Sequence, residues 1–422
     1  MSLLFINASQ VVTCAGPPRG RRGAEMNDAQ IMKNAAVAVE GERIAAVGPV
    51  NELEAMVPGA TRIDCRGCVI LPGLVDSHTH AVFGRPRYEE QEMRAAGDGY
   101  MDIAARGGGI HASVRDVRAR DEEDLFLLAR ARLLNIASHG TTTVEVKSGY
   151  GLTTEDELKL LRVVARLSNA LPLRLIPTWL GAHEIPFEYR SSDTGHAGYM
   201  ELLLREMLPA VAKAGLARFA DVFCEPGVFT VAETRLILDM AREAGLALKL
   251  HADELEPSGG AELAAEIGAT SADHLAAISS GGISALVASG TVATLLPGTL
   301  LFLGRARQAP ARALIDSGVA VALATDFNPG TSPTMNFPLI LTLGVSQLGM
   351  SVAEVLIAST VNGAAALDLA GDIGQLSPGF SADLALFEAD DARELPYWYG
   401  DRRCRGSWVR GKPCHPCELR VS

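Results

Sequence analysis

The chain has 422 residues, a formal net charge of −12, 48% hydrophobic and 21% charged residues. An acidic balance of that size argues against a non-specific nucleic-acid or membrane-surface binder, and an anionic ligand would need a local basic pocket. No apolar run is long enough to span a bilayer. The start, MSLLFINASQVVT, lacks the basic and long apolar regions of a signal peptide. Seven cysteines, an odd number, read as reduced thiols in a cytoplasm.

The first 70 residues are β-rich. "SLLFINASQVVT" and "NAAVAVEGERIAAVGP" alternate apolar and polar residues, with Glu40-Gly41-Glu42 at a turn. Residues 14 to 29 between them are rich in Gly, Pro and Arg and read as a loop. The last 50 residues return to the same style in "IGQLSPGFSADLALFE" and "GSWVRGKP". Residues 1–70 and 371–422 are therefore expected to combine into one small β-sandwich domain.

Residues 71–370 alternate short apolar runs with amphipathic stretches, the pattern of βα units around a parallel sheet. Eight strand candidates end near His78–His80, Lys147, Leu180, Glu225, His251, His274, Leu296 and Asp326. Helical stretches fall at 121–138, 154–168, 199–214, 230–244, 258–268, 278–288 and 309–317, with extra helices at 337–348 and 351–370. The fold class is α/β, a (β/α)8 TIM-like barrel. A doubly wound sheet would carry a Gly-rich dinucleotide turn after its first strand, and none is present. The segment 84–120 reads as a long loop with permissive glycines, placed to cover part of the mouth.

In such a barrel all strand carboxyl ends meet at one rim. The apolar run from Val69 through Val75 reads as one buried strand interrupted by a Pro-Gly corner, and "LPGLVDSHTH" ends it with His78 and His80, which an extended backbone points the same way. Taken alone, the pair could equally be two hydrogen-bonded core histidines. Lys147-Ser148-Gly149-Tyr150, His183, His251 with Glu254, Asp273-His274, and Asp326 with Asn328 close the other strands. Five of the nine histidines thus fall at strand ends, which favours a metal site. His78, His80, His251 and Asp326 are the expected ligands. Three imidazoles and a carboxylate suit one divalent ion, Zn2+ or Fe2+.

With these residues goes a resemblance. "HTHAVFGRPRYEE", "ARGGGI", "VEVKSGYGL", "TWLGAHEIP", "DVFCEPGVF", "LHADELE", "SADHL", "LLPGTLLFLG" and "LATDFNPGTSP" are similar, in order over residues 70 to 370, to the amidohydrolase superfamily. Within it they most resemble the imidazolonepropionase family. The resemblance implies hydrolysis of 4-imidazolone-5-propanoate, a small anionic cyclic amide, to N-formimidoyl-L-glutamate. It implies Arg87, Tyr150, His183, Glu254, Asn328, Gly330 and Thr331 as substrate contacts, His274 as a catalytic histidine, and a homodimer. In this reading Asp326 and His274 orient water and accept its proton, while Glu254 carries a proton to the ring nitrogen. Arg87 would take the propionate. In superfamily members that use a carboxylated lysine for a two-metal site, that lysine closes strand four. Here that strand ends Phe223-Cys224-Glu225, so one metal is expected, with Cys224 a buried apolar residue and Glu225 a buttress. Cys65–Cys68 and Cys414–Cys417 have C-x-x-C spacing but read as ordinary strand cysteines. The alternative function is an aminohydrolase acting on a nucleobase-like ring, to which Arg87 would offer no carboxylate partner. A non-catalytic barrel would be expected to lack some of the four ligands.

Overall fold

The computed structural model describes residues 2–97, 103, 106–190 and 195–415. Eight parallel strands form the centre: β1 (Leu74–Asp76), β2 (Thr141–Lys147), β3 (Arg174–Ala182), β4 (Phe219–Cys224), β5 (Ala247–Ala252), β6 (Ser271–His274), β7 (Val292–Leu295) and β8 (Val321–Leu323). Each pairs with the next in chain order. The ring is completed just beyond β1 and β8, where Thr79 bridges Phe327 in parallel. There Asp326 N donates to His78 O at 3.0 Å and His80 N to Phe327 O at 2.9 Å. Closure therefore brings His78, His80 and Asp326 side by side at the carboxyl rim.

Strand alternation explains what fills the ring. On β2, Val144 and Val146 face outward and join an apolar cluster with Leu125, Ala129 and Leu133 of the helix Glu122–Ala137 and Leu160, Val163 and Leu167 of the helix Thr154–Ala170. Thr143, Glu145 and Lys147 have the opposite parity and are also fully buried. Three of the long helices start where the sequence caps them. Asp121 accepts from Asp124 N, Thr153 from Asp156 N, and Thr230 forms a reciprocal box with Glu233.

Two further sheets come from the chain ends. One has four strands, Arg43–Gly48, Ala36–Glu40, Ser2–Ile6 and Thr61–Asp64. The other has six, of which Cys68–Pro72 pairs Leu384–Glu388 antiparallel. Leu3, Phe5, Val37 and Ile44 of the first meet Val11, Ile70, Leu386 and Trp408 of the second in one buried cluster, the core of a β-sandwich. The hairpin turns at Gly41-Glu42, with Glu40 opposite Arg43.

Four stretches differ from expectation. The run 69–75 is two strands: Cys68–Pro72 belongs to the sandwich, and after a corner Leu74–Asp76 opens the barrel. Gly73 is required at the corner, because a Cβ there would lie 2.1 Å from Thr142 Oγ1. The segment 84–120 contains two helices, Tyr88–Ala95 and Ile110–Ala119, with residues 98–102 and 104–105 outside the described residues. The first, YEEQEMRA, is too polar to show an apolar stripe. Pro297–Phe302 is a short helix after β7, and 351–370 breaks into Val352–Ala358 and Val361–Ala365. No helix among the described residues is long and apolar enough to cross a membrane. The six described cysteines are buried and none is joined in a disulfide; Cys417 lies outside the described residues.

Candidate active site

His78, His80 and His251 each offer a ring nitrogen, and these three atoms lie within 4.8 Å of one another. Asp326 Oδ1 is 3.6 Å from both His78 Nε2 and His80 Nε2. The four expected metal ligands are thus assembled in one buried cluster. Their surroundings fit a cation. His78 Nε2 and His251 Nε2 are buried without any hydrogen-bond partner, a state that normally calls for an ion or water. Burial, together with the Lys147 charge and the neighbouring imidazoles, pushes the His78 pKa well below its ordinary value, so its lone pair is available.

Two of the three histidines, His78 and His251, are backed by carboxylates. His78 Nδ1 meets Asp273 Oδ2 at 2.6 Å. His251 Nδ1 lies 3.0 Å from Asp221 Oδ2, and His251 N donates to Asp221 Oδ1 at 3.1 Å. Carboxylate partners of this kind fix the ring and its tautomer. Asp326 Oδ2 accepts from Thr299 Oγ1 at 2.6 Å, which leaves Oδ1 toward the imidazoles. Burial raises the Asp326 pKa to about 6. Asp326, His274 and Asp253 all have positive φ, 52°, 77° and 49°. Backbone strain of this kind in residues with side chains is concentrated at working sites.

Below the histidines lies a charge stack that sequence reasoning missed. Lys147 Nζ is 2.6 Å from Asp221 Oδ2 and 2.9 Å from Glu145 Oε2. Lys249 Nζ is 3.4 Å from both Glu145 Oε2 and Asp273 Oδ2, and donates to Ser77 O at 2.9 Å. Burial alone would lower the Lys147 pKa; Asp221, Glu145 and Asp273 outweigh it and hold the ammonium charged. The available signal was charged residues at inward parity in apolar strands, in "TVEVK" and "LKLHA".

The remaining expected residues are distributed around the rim. The His274 ring is 5.2 Å from that of His251 and 5.3 Å from that of His78. Its Nδ1 lies 3.4 Å from Glu254 Oε2. Burial, then the Asp326 and Glu225 charges, push the Glu254 pKa up to about 8. Glu225 accepts from the Glu254 and Leu255 amides, so it shapes the turn that presents Glu254. Cys224 is buried, and burial raises its thiol pKa to about 11. His183 stacks on His80 with 5.1 Å between centroids, and its Nδ1 meets Gly149 O at 2.9 Å. Tyr150 lies 5.5 Å from His183 and 5.9 Å from His80, ring to ring.

Arg87 is tied to the last barrel loop by its own N–H, which donates to Pro329 O at 3.1 Å. Its guanidinium crosses Gly330 so closely that a Cβ there would lie 1.3 Å from Nη2. Only glycine admits the arginine at that point. Asn328 turns inward on its own loop: Oδ1 accepts from Gly330 N at 2.9 Å and Thr331 N at 2.8 Å, and Nδ2 donates to Asp326 O at 2.7 Å. All of the sequence-predicted site residues therefore lie at one rim of the barrel, but Asn328 and Gly330 N are already occupied by each other.

A parallel barrel whose strand ends cage histidines and a carboxylate defines the class. Residues 69–414 match the amidohydrolase family, and residues 35–56 the imidazolonepropionase-like composite domain of bacteria. The imidazolonepropionase of Symbiobacterium thermophilum is 47% identical over 404 residues, covering 95% of this chain and 94% of the relative. That of Geobacillus thermodenitrificans is 47% identical over 406 residues, covering 95% of each chain. A zinc-bound adenosine deaminase from Xanthomonas campestris superposes with a TM-score of 0.71 at 20% identity, covering 100% of this chain and 94% of that one, which is a likeness of fold. The chain belongs to the amidohydrolase family and, within it, to the imidazolonepropionases.

Proposed function

We propose that the chain is a metal-dependent hydrolase that opens the cyclic amide of 4-imidazolone-5-propanoate to N-formimidoyl-L-glutamate. The observation that carries this reading is the pairing of a buried His78–His80–His251–Asp326 cage with a guanidinium, Arg87, at the same rim. One divalent ion, Zn2+ or Fe2+, would be held by those four residues. When bound, such an ion acidifies water toward a pKa of about 7 and polarises a carbonyl. Arg87 binds the propionate, with Tyr150 beside it as a further donor. Asp326, its second oxygen held by Thr299, accepts a proton from the attacking water. His274 orients that water. Glu254, kept protonated by burial, delivers a proton to the leaving ring nitrogen. His183 forms one wall of the pocket, and Asn328, Gly330 and Thr331 form the other. Residues 1–70 with 371–422 would form the composite sandwich domain and 71–370 the barrel domain. The protein would work in the cytoplasm as a homodimer.

The test is a substrate panel with metal content measured on the same sample. Turnover of the imidazolone with one metal per chain is expected; ammonia release from a nucleobase instead would mark an aminohydrolase. Replacing His274 with Asn should leave the metal bound and lower kcat by roughly 10²–10⁴-fold.

A further inference from the structure

Glu90 is almost completely buried at the barrel mouth, yet no step of the reaction uses it. It lies on the first turn of the helix Tyr88–Ala95, directly after Arg87. Three groups converge on its carboxylate. Arg87 Nε is 3.3 Å from Oε1, an ion-pair contact without the alignment of a hydrogen bond. Arg94 Nη2 donates to Oε2 at 3.1 Å. Gly109 N donates to Oε1 at 2.7 Å. Arg94 in turn reaches across to Gly330 O at 3.3 Å.

The consequence is electrostatic and geometric. Two guanidinium groups share one buried carboxylate, so the cluster has a net charge of +1. That charge matches one carboxylate of a ligand. The same contacts hold the Arg87 stem while its terminal nitrogens lie over Gly330, and they anchor the glycine turn at Gly109 that starts the helix Ile110–Ala119. Charged hydrogen bonds to a buried carboxylate depend on orientation, and an arginine freed of its partner has many rotamers to lose again on binding.

We propose that Glu90 is the positioning residue of the carboxylate pocket: it orients Arg87, sets the cluster to a single positive charge, and fastens the Gly107–Gly109 turn to it. The proposal rests on the reading of Arg87 as the propionate contact.

The test compares wild type, E90Q and R87K on two substrates, the imidazolone propionate and the same ring with an uncharged propyl chain. Expected for E90Q with the propionate is a KM raised about tenfold, because the lost orientation of Arg87 outweighs the extra positive charge left on the cluster, with kcat and metal content within a factor of about two. With the propyl substrate the KM of E90Q should equal that of wild type. An unchanged KM on the propionate, or an equal rise on both substrates, overturns the proposal, since a general loss of structure would act on both. E90D, which keeps the charge, should recover part of the loss; E90D no better than E90Q counts against it. R87K separates the two readings. If R87K leaves KM unchanged, the assignment of Arg87 falls. If R87K raises it and E90Q does not, only the role of Glu90 falls.

Discussion

Asp273 Oδ2, 2.6 Å from His78 Nδ1, decides which ring nitrogen His78 presents to the cage. In D273N that preference is lost, because an amide can face the ring with either its oxygen or its nitrogen. Metal affinity should fall by about 10–100-fold, read by competition with a chelator; an affinity equal to wild type would show that packing alone aims the ring. Glu254 gives a second prediction. With its pKa pushed up to about 8, the carboxyl is protonated below that pH and loses its proton as pH rises through it. If the protonated form is the acid, kcat/KM declines on the alkaline side, at or below about 8, since a cation at the neighbouring imidazoles lowers this pKa. E254Q should be slower throughout and lack that limb; a limb that survives in E254Q belongs to another group. The residues of the cage were legible in the sequence because polar groups at apolar strand ends are conspicuous, as at His78, His251 and Asp326. The charged residues beneath it were not: Asp221 and Glu145 sit mid-strand, where only side-chain parity marks them as facing the interior.

Among the elements, the loop Ser148–Leu152 shows how a segment is held without regular structure. Glu157, fully buried in the helix Thr154–Ala170, accepts from Gly149 N, Gly151 N and Leu152 N at 2.7–3.1 Å. One carboxylate replaces the missing ladder and sets Tyr150 and the Gly149 carbonyl against His183. Glu157→Leu keeps much of the volume but leaves three buried N–H groups without acceptors, each costing about 1–3 kcal/mol. The denaturant midpoint should fall and KM should rise together; an unchanged midpoint would mean that the loop is held by its neighbours. The βα rhythm of the barrel was readable because its longer helices carry an apolar face and a side-chain cap. What escaped were the elements without that signature. Tyr88–Ala95 hides in a polar stretch; the Pro72-Gly73 corner was legible as a Pro-Gly interruption, but not that the strands on its two sides belong to different sheets, which periodicity alone cannot tell. The helix Ile110–Ala119 did carry the signal, with Ile110, Val114 and Val117 at helical spacing behind the glycines.

At the scale of the whole molecule, the barrel interior departs from the bulky branched layers usual in this architecture. Lys147 and Lys249 stand against Glu145, Asp221 and Asp273, all fully buried. Two ammonium groups among three carboxylates leave one negative charge in excess beneath the histidine cage, and that excess favours a cation above it. Such a stack is held by completeness: each charge is costly unless its partners are present. Lys249→Met removes the ammonium that lies 3.4 Å from both Glu145 and Asp273 while keeping the stem. Unfolding of the metal-loaded protein should then require about 3–5 kcal/mol less, the penalty of a buried charge without its partner. Metal retention should not fall, because the site becomes more negative rather than less. The pair of measurements separates this variant from D273N, which is expected to lose metal. A Lys249→Met protein as stable as wild type would mean that water or a shared proton, not Lys249, balances the carboxylates of the barrel interior.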